Sequence, residues 1–219
     1  MAAAIFDDSH LGDARNLLVK LRADLGRKPA DMLHWKNIKA HAQRVHAAKT
    51  LGETPWLTIA TVVVCKRHIR SDAPAIDEHM AYMWTFRLLL ERLSWFARDK
   101  GKQVDITLAH VRHFPTSKLR QYEHRLRAAE TKVDWKSIGG PCAIDQPIRV
   151  EPLQIADLAV SATGTGFNPD SFNNTEPRYT QELAPRLYRR GTAALTSYGL
   201  KVHPWNDKTQ EAFPWVLSL

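Results

Sequence analysis

Apolar and polar residues follow two different spacings along this chain, and the spacings predict helices and strands in a mixed order. Apolar residues recur every three or four positions from Leu11 to Leu25, which predicts an amphipathic helix. The β-branched run Leu57–Cys65 predicts a central strand buried on both faces. Ile76–Lys100 is apolar on nearly every side and predicts a long core helix, and the alternation over Val104–Val111 predicts a second strand.

Shorter patterns fill the remainder of the chain and complete the expected fold class. They predict strands at Met1–Phe6 and Ala143–Asp145, and helices at Trp35–Leu51, Pro115–Ala129, Pro152–Ala162 and Tyr179–Arg190. Strands that alternate with helices in this way predict an α/β fold, a sheet covered by helices. Residues 1–205 are expected to form one domain, on which an irregular tail at 206–219 docks through its tryptophans.

The charge of the chain is uneven, and this narrows the classes of partner. The 219 residues have a formal net charge of +8. Residues 1–150 contain 25 basic and 16 acidic residues, whereas residues 151–219 contain 6 and 7. Such an excess favours polyanions, and nucleic acid above all, although solvated helix faces explain it as well.

Composition also bears on the cellular compartment. No apolar run approaches the ~18 residues that a membrane-spanning helix needs, and no basic segment opens the chain as in a signal peptide. Cys65 and Cys142 are too few for a disulfide scaffold. We therefore expect a cytoplasmic protein without membrane association.

The string Leu153–Leu158 holds the strongest candidate for chemistry. Gln154 and Asp157 are three residues apart in the first turns of a predicted helix, so they share one face. The carboxylate of Asp157 is a suitable Mg²⁺ ligand, with the Gln154 amide positioning a water or the substrate. Alternatively, Asp157 is simply favoured by the positive N-terminal end of its helix.

Other acidic residues are weaker candidates for the same site. Asp145 follows a short predicted strand and is either a second metal ligand or a loop cap before Pro147. Asp7 and Asp8 are expected to cap the first helix, and Glu91 to pair with Arg87 one turn away.

His34 stands between two apolar residues at the head of a basic segment. Its imidazole can orient a water or a phosphate, or it is a buried ring bonded to the backbone. The outward positions of the helix predicted here carry the candidate nucleic-acid-binding residues Lys36, Lys39 and Arg44.

Several of these strings together resemble one family. The Gln-x-x-Asp string Leu153–Leu158 is similar to a motif of the domain-of-unknown-function family 3800. Leu33–Lys36, Arg87–Arg92 and Ser197–Lys201 resemble further segments of that family in the same order, over about residues 30–205. The resemblance implies a ribonuclease-H-like mixed sheet flanked by helices, a fold whose enzymes act on phosphodiesters with two Mg²⁺ ions.

The resemblance implies roles for four residues, but the chain also departs from the family pattern at one strand. It implies a magnesium-dependent nuclease in which Asp157 and Asp145 bind the metal. In that enzyme Gln154 would position a water or the substrate, and His34 would be an auxiliary group near the phosphate. Family members begin with a strand that ends in Asp-Glu-Ser-Gly, whereas this chain has Phe6–His10 or lacks that strand and its acid. An incomplete carboxylate set predicts instead a non-catalytic subunit of a defence or mobile-element system, one that binds nucleic acid, a protein partner or a second copy of the chain.

Overall fold

The computed structural model describes residues 1–69, 78–110 and 115–219, and these form a mixed α/β structure. Its helices are α1 (Leu11–Asp24), α2 (His41–Glu53), α3 (Glu78–Asp99), α4 (Thr116–Ala128), α5 (Leu153–Thr165), α6 (Arg178–Leu183) and α7 (Asp207–Ala212). Its strands are β1 (Ala2–Ile5), β2 (Thr58–Val64), β3 (Thr107–Ala109), β4 (Ala143–Asp145) and β5 (Leu200–His203). The predicted α/β class is therefore confirmed.

The larger sheet has the order β1-β2-β5. β1 runs antiparallel to β2, with Ala3 opposite Ala60, and β5 runs parallel to β2, with Val202 opposite Val63. The β-branched run that predicted a central strand thus does form the middle of this sheet.

Helices cover both faces of this sheet because its side chains alternate. Ala60 and Val62 pack with Leu89 and Leu93 of α3 on one face. On the other face, Ile59 and its neighbours on β5 join a core built from α1, α2, α5 and α6. α3 is accordingly a core helix, as its apolar pattern predicted; residues 76–77 of that prediction lie outside the described residues.

A smaller sheet pairs β3 with β4 in parallel, with Leu108 opposite Ile144. Phe86 of α3 and Leu119 of α4 pack with Leu108 in a second core. The strand predicted over Val104–Val111 is shorter in the structure: Val104 makes only an isolated bridge before β3, and residues 111–114 lie outside the described residues.

Two helices are shorter than their patterns predicted. The helix expected from Trp35 begins only at His41, because Ile38 and Ala40 have extended backbones, and this lets the side chains of both Trp35 and Ile38 reach the core. The helix expected to continue to Arg190 ends at Leu183 and is followed by a 3-10 turn over Ala184–Arg186, after which Leu187 bridges Ile59 beside β2.

The ends of the chain also differ from the pattern. β5 was not predicted, because no element was expected between Arg190 and the tail at 206–219, and it pairs with β2. Asp7 does not cap α1: its carboxylate bonds the Lys102 ammonium at 2.7 Å, and His10 occupies the position before the helix. Within residues 206–219, the Trp215 ring lies 5.1 Å from the Phe167 ring, between centroids.

The length and hydropathy of the helices determine whether one of them could span a membrane. Among the residues described, no helix is both long and apolar enough to cross a bilayer.

Candidate functional site

The first turns of α5 place Gln154 and Asp157 against the segment that carries His34. Pro152 precedes the helix, and Ile155, Leu158 and Ala159 hold it against the sheet core. The remaining face turns toward residues 33–35, where both polar side chains find partners. Gln154 and Asp157 thus share one face of α5, as their three-residue spacing predicted.

Gln154 is buried and bonded through both ends of its amide. Its oxygen accepts from the main-chain N–H of Leu33 at 2.8 Å and from the guanidinium of Arg22 at 3.3 Å. Its nitrogen donates to the main-chain oxygen of Pro147 at 3.1 Å. Gln154 therefore ties three segments together, and its amide is occupied by the protein itself.

Arg22 completes this junction. Its Nε donates to the main-chain oxygen of Asp31 at 2.7 Å, and its Nη2 to Glu151 at 3.0 Å. Its side chain is only 5% exposed, so these bonds fix the guanidinium between Asp31, Glu151 and Gln154. Our sequence reasoning missed Arg22, although its position four residues after Leu18 on the apolar stripe of α1 is a signal for a buried, partnered arginine.

Asp157 holds the imidazole of His34. Nδ1 of His34 lies 3.2 Å from Oδ2 of Asp157, and the main-chain N–H of Trp35 donates to the same oxygen at 3.5 Å. Because an ionised carboxylate only accepts, Nδ1 of His34 is the donor in this contact. Both side chains are about one-third exposed, at 29% and 34%, so the pair is open to solvent.

Asp145 is held in the turn that follows β4. Its Oδ1 accepts from the Gln146 N–H and from Arg149 Nε, each at 2.7 Å. The Gln146 N–H, and then Arg149, lower the pKa of this carboxyl below its ordinary value. These are the contacts of a loop cap, one of the two roles predicted for Asp145.

We next asked whether Asp157 and Asp145 belong to a cluster of metal ligands. Two Mg²⁺ ions require several carboxylates, because their charge must be balanced by oxygen ligands. Within residues 1–69, 78–110 and 115–219, no group of three or more His, Cys, Asp or Glu is arranged to hold a metal ion. Among these described residues, Asp157 and Asp145 accordingly belong to no cluster of three or more such ligands.

A groove of about 360 Å³ opens beside His34. Arg27 and Asn37 line it, and Arg27 Nη2 donates to the main-chain oxygen of Asn37 at 2.6 Å. Our sequence reasoning also missed Arg27, which follows the helix-ending Gly26 and therefore stands in a loop where a side chain can reach a ligand.

The predicted nucleic-acid-binding residues follow this groove along the chain. Lys36 and Lys39 are exposed. Arg44 is partly buried: its Nε donates to the main-chain oxygen of Ile38 at 2.7 Å, and its guanidinium lies 5.5 Å from the centroid of the Trp35 ring. Arg27, Lys36, Lys39 and Arg44 are called the 27–44 surface below.

Comparison of the chain with protein-family models, with curated proteins and with solved structures finds no match. The resemblance to the domain-of-unknown-function family 3800 therefore stays a prediction.

Proposed function

We propose that this protein binds nucleic acid through the 27–44 surface without hydrolysing it. The observation that carries the proposal is that Arg27 lines the groove beside His34 and that the segment lining the groove also carries or adjoins the exposed Lys36 and Lys39 and the oriented Arg44. Positive side chains that contact phosphates release counterions from the nucleic acid, and this release supplies most of the affinity of such surfaces.

The two arginines strengthen the proposal because of the groups that hold them. Arg27 and Arg44 each donate to a main-chain carbonyl oxygen, which has no formal charge. A guanidinium has five N–H donors, so these bonds orient the group and leave other donors for phosphate oxygens.

The proposal includes a ribonuclease-H-like fold but not magnesium-dependent cleavage. A sheet layered between α3 and α5 supports a ribonuclease-H-like arrangement. The carboxylates, by contrast, are engaged separately by His34, Gln146 and Arg149. For this reason we favour binding over magnesium-dependent cleavage.

The binding proposal is tested by fluorescence anisotropy with a labelled oligonucleotide, single-stranded and duplex, over a range of salt concentrations. The double variant Lys36→Ala/Lys39→Ala should weaken binding and lower the slope of log affinity against log salt by about one for each phosphate that a replaced lysine had neutralised. The control Lys20→Ala/Lys49→Ala removes the same charge from exposed positions on α1 and α2. Equal weakening of binding in both variants, or binding that ignores salt, would contradict the proposal.

Hydrolysis of the bound strand is the second candidate, and the His34–Asp157 pair favours it. A carboxylate that holds Nδ1 leaves Nε2 of the imidazole ready to exchange a proton at the groove. Cleavage that resists chelation and is abolished in His34→Gln would support this candidate. Cleavage that requires Mg²⁺ and is abolished in Asp157→Asn would support the nuclease implied by the family resemblance.

A further inference from the structure

A second cleft lies away from the groove beside His34. It forms where the C-terminal end of α3 meets the start of β2 and the segment 185–191, and its volume is about 460 Å³. It shares no lining residue with the groove among the residues described. Its volume lies within the range that small-molecule sites occupy, roughly 300 to 1,000 Å³.

Positive side chains dominate the described lining of this cleft. Lys100, Arg186, Arg189 and Arg190 carry positive charge there, and Asp99 carries the negative charge. Three of the four come from the string Arg186–Arg190, although the segment 151–219 as a whole is slightly acidic. The fold therefore concentrates charge at a place that the overall composition does not predict.

The single carboxylate is already occupied. The hydroxyl of Tyr188 donates to Oδ2 of Asp99 at 2.6 Å, and Arg190 Nε lies 3.2 Å from the same oxygen. Burial, and then this bond to Asp99, raise the pKa of Tyr188. Asp99 thus pairs with Arg190 and holds Tyr188, and no other Asp or Glu side chain lines the described part of the cleft.

The other three cations are positioned by groups other than side-chain carboxylates. Arg186 donates to the main-chain oxygens of Gly52 at 3.1 Å and Pro55 at 3.0 Å. Arg189 donates at 2.7 Å to a carboxylate oxygen of Leu219, the last residue of the sequence, and the Lys100 ammonium lies 6.0 Å from the centroid of the Phe96 ring. Such interactions fix a cation while leaving donors free for a ligand.

We propose that this cleft binds a phosphate group. Planar guanidinium groups match the geometry of phosphate oxygens, and a lysine adds a mobile charge beside them. The phosphate belongs either to a small molecule such as a nucleotide or to the end of a nucleic-acid strand. The same cation set would take either source.

The experiment uses calorimetry on the full chain, with inorganic pyrophosphate as the probe. The double variant Lys100→Ala/Arg189→Ala should bind pyrophosphate about tenfold more weakly or worse, which corresponds to the removal of roughly one charge-assisted hydrogen bond. Lys20→Ala/Lys49→Ala again serves as the charge-matched control and should stay within about twofold of the wild type. Thermal unfolding of each variant establishes that it is folded.

Two further arms identify the source of the phosphate. Competition by a nucleoside 5′-monophosphate, and not by the nucleoside, would assign the cleft to small phosphate ligands. Competition by a 5′-phosphorylated oligonucleotide, and not by the mononucleotide, would assign it to strand ends.

Two outcomes would overturn the proposal. One is the absence of measurable pyrophosphate binding by the wild type, and the other is an equal weakening of binding in the two double variants. The variant Lys36→Ala/Lys39→Ala separates this proposal from the function proposed above. It should retain pyrophosphate binding even if it no longer binds oligonucleotides through the 27–44 surface.

Discussion

The side-chain oxygen of Gln154 accepts a hydrogen bond from the main-chain N–H of Leu33, across 121 residues of sequence, at 2.8 Å. This bond joins the first turn of α5 to the segment that presents His34. Gln154 is 2% exposed, so the bond is shielded from water. The buried amide of Gln154 therefore fixes the main chain next to His34, while Asp157, one turn further along α5, contacts the imidazole.

Replacing Gln154 should consequently destabilise the protein. Gln154→Leu leaves the buried N–H of Leu33 without its acceptor and removes one partner of Arg22, which should lower the free energy of unfolding by about 1–3 kcal/mol. Urea denaturation measures this decrease. Gln121→Leu, on the exposed face of α4, is the control and should change stability by less than about 0.5 kcal/mol. Similar values for the two variants would show that the buried amide contributes little.

The sequence pattern predicted those elements whose own residues carry a clear signal, either a helical apolar stripe or a run of apolar residues buried on both sides. β2 could be predicted because a β-branched run is typical of a central strand, and α5 because its apolar stripe begins after Pro152. β5 has only four residues, and its alternation of Leu200 and Val202 acquires meaning only when β2 lies beside it. Strand pairing between distant segments is not encoded in either segment alone.

The candidate site shows the same division. The spacing of Gln154 and Asp157 predicted a shared face, but the partner of that face comes from residues 33–35, more than one hundred positions away. The predicted start of α2 was wrong for a related reason: Trp35 reaches the core from a short 3-10 turn and Ile38 from an extended backbone, and these tertiary contacts override the helical period.

Gly52 in α2 provides a test of close packing between helices. A Cβ added there would collide with the main-chain oxygen of Glu182 in α6, which cannot move without shifting that helix. Gly52→Ala should therefore lower the free energy of unfolding by about 1–3 kcal/mol, despite the better helix propensity of alanine. Gly12→Ala in α1 is the matched control, because the added methyl meets no described atom within 4 Å. It should leave stability unchanged or raise it by up to about 1 kcal/mol, as thermal unfolding will show.

The buried ion pair of α3 provides a test of charge compensation. Arg92 Nη1 lies 2.6 Å from Oε2 of Glu91, and both side chains are buried. Arg92→Met should lower the free energy of unfolding, because Glu91 keeps its buried charge and retains only the longer contact with Arg87 Nε at 3.4 Å. The double variant Glu91→Gln/Arg92→Met removes both charges and should recover part of that stability, whereas Arg98→Met at an exposed position should have little effect. A double variant no more stable than Arg92→Met would contradict this account.

His203 on β5 should make stability depend on pH. Burial, followed by the positive charges of Lys201 and Arg92, lowers the pKa of His203 below its ordinary value of 6.5. Below pH 6.5 the unfolded chain therefore binds a proton at this residue more readily than the folded chain does, and stability falls as the pH drops toward the folded pKa. Urea denaturation at pH 7.5 and at successively lower pH should show a smaller decline for His203→Gln than for the wild type. The exposed His124→Gln variant is the control, and a decline equal in the wild type and His203→Gln would refute the assignment.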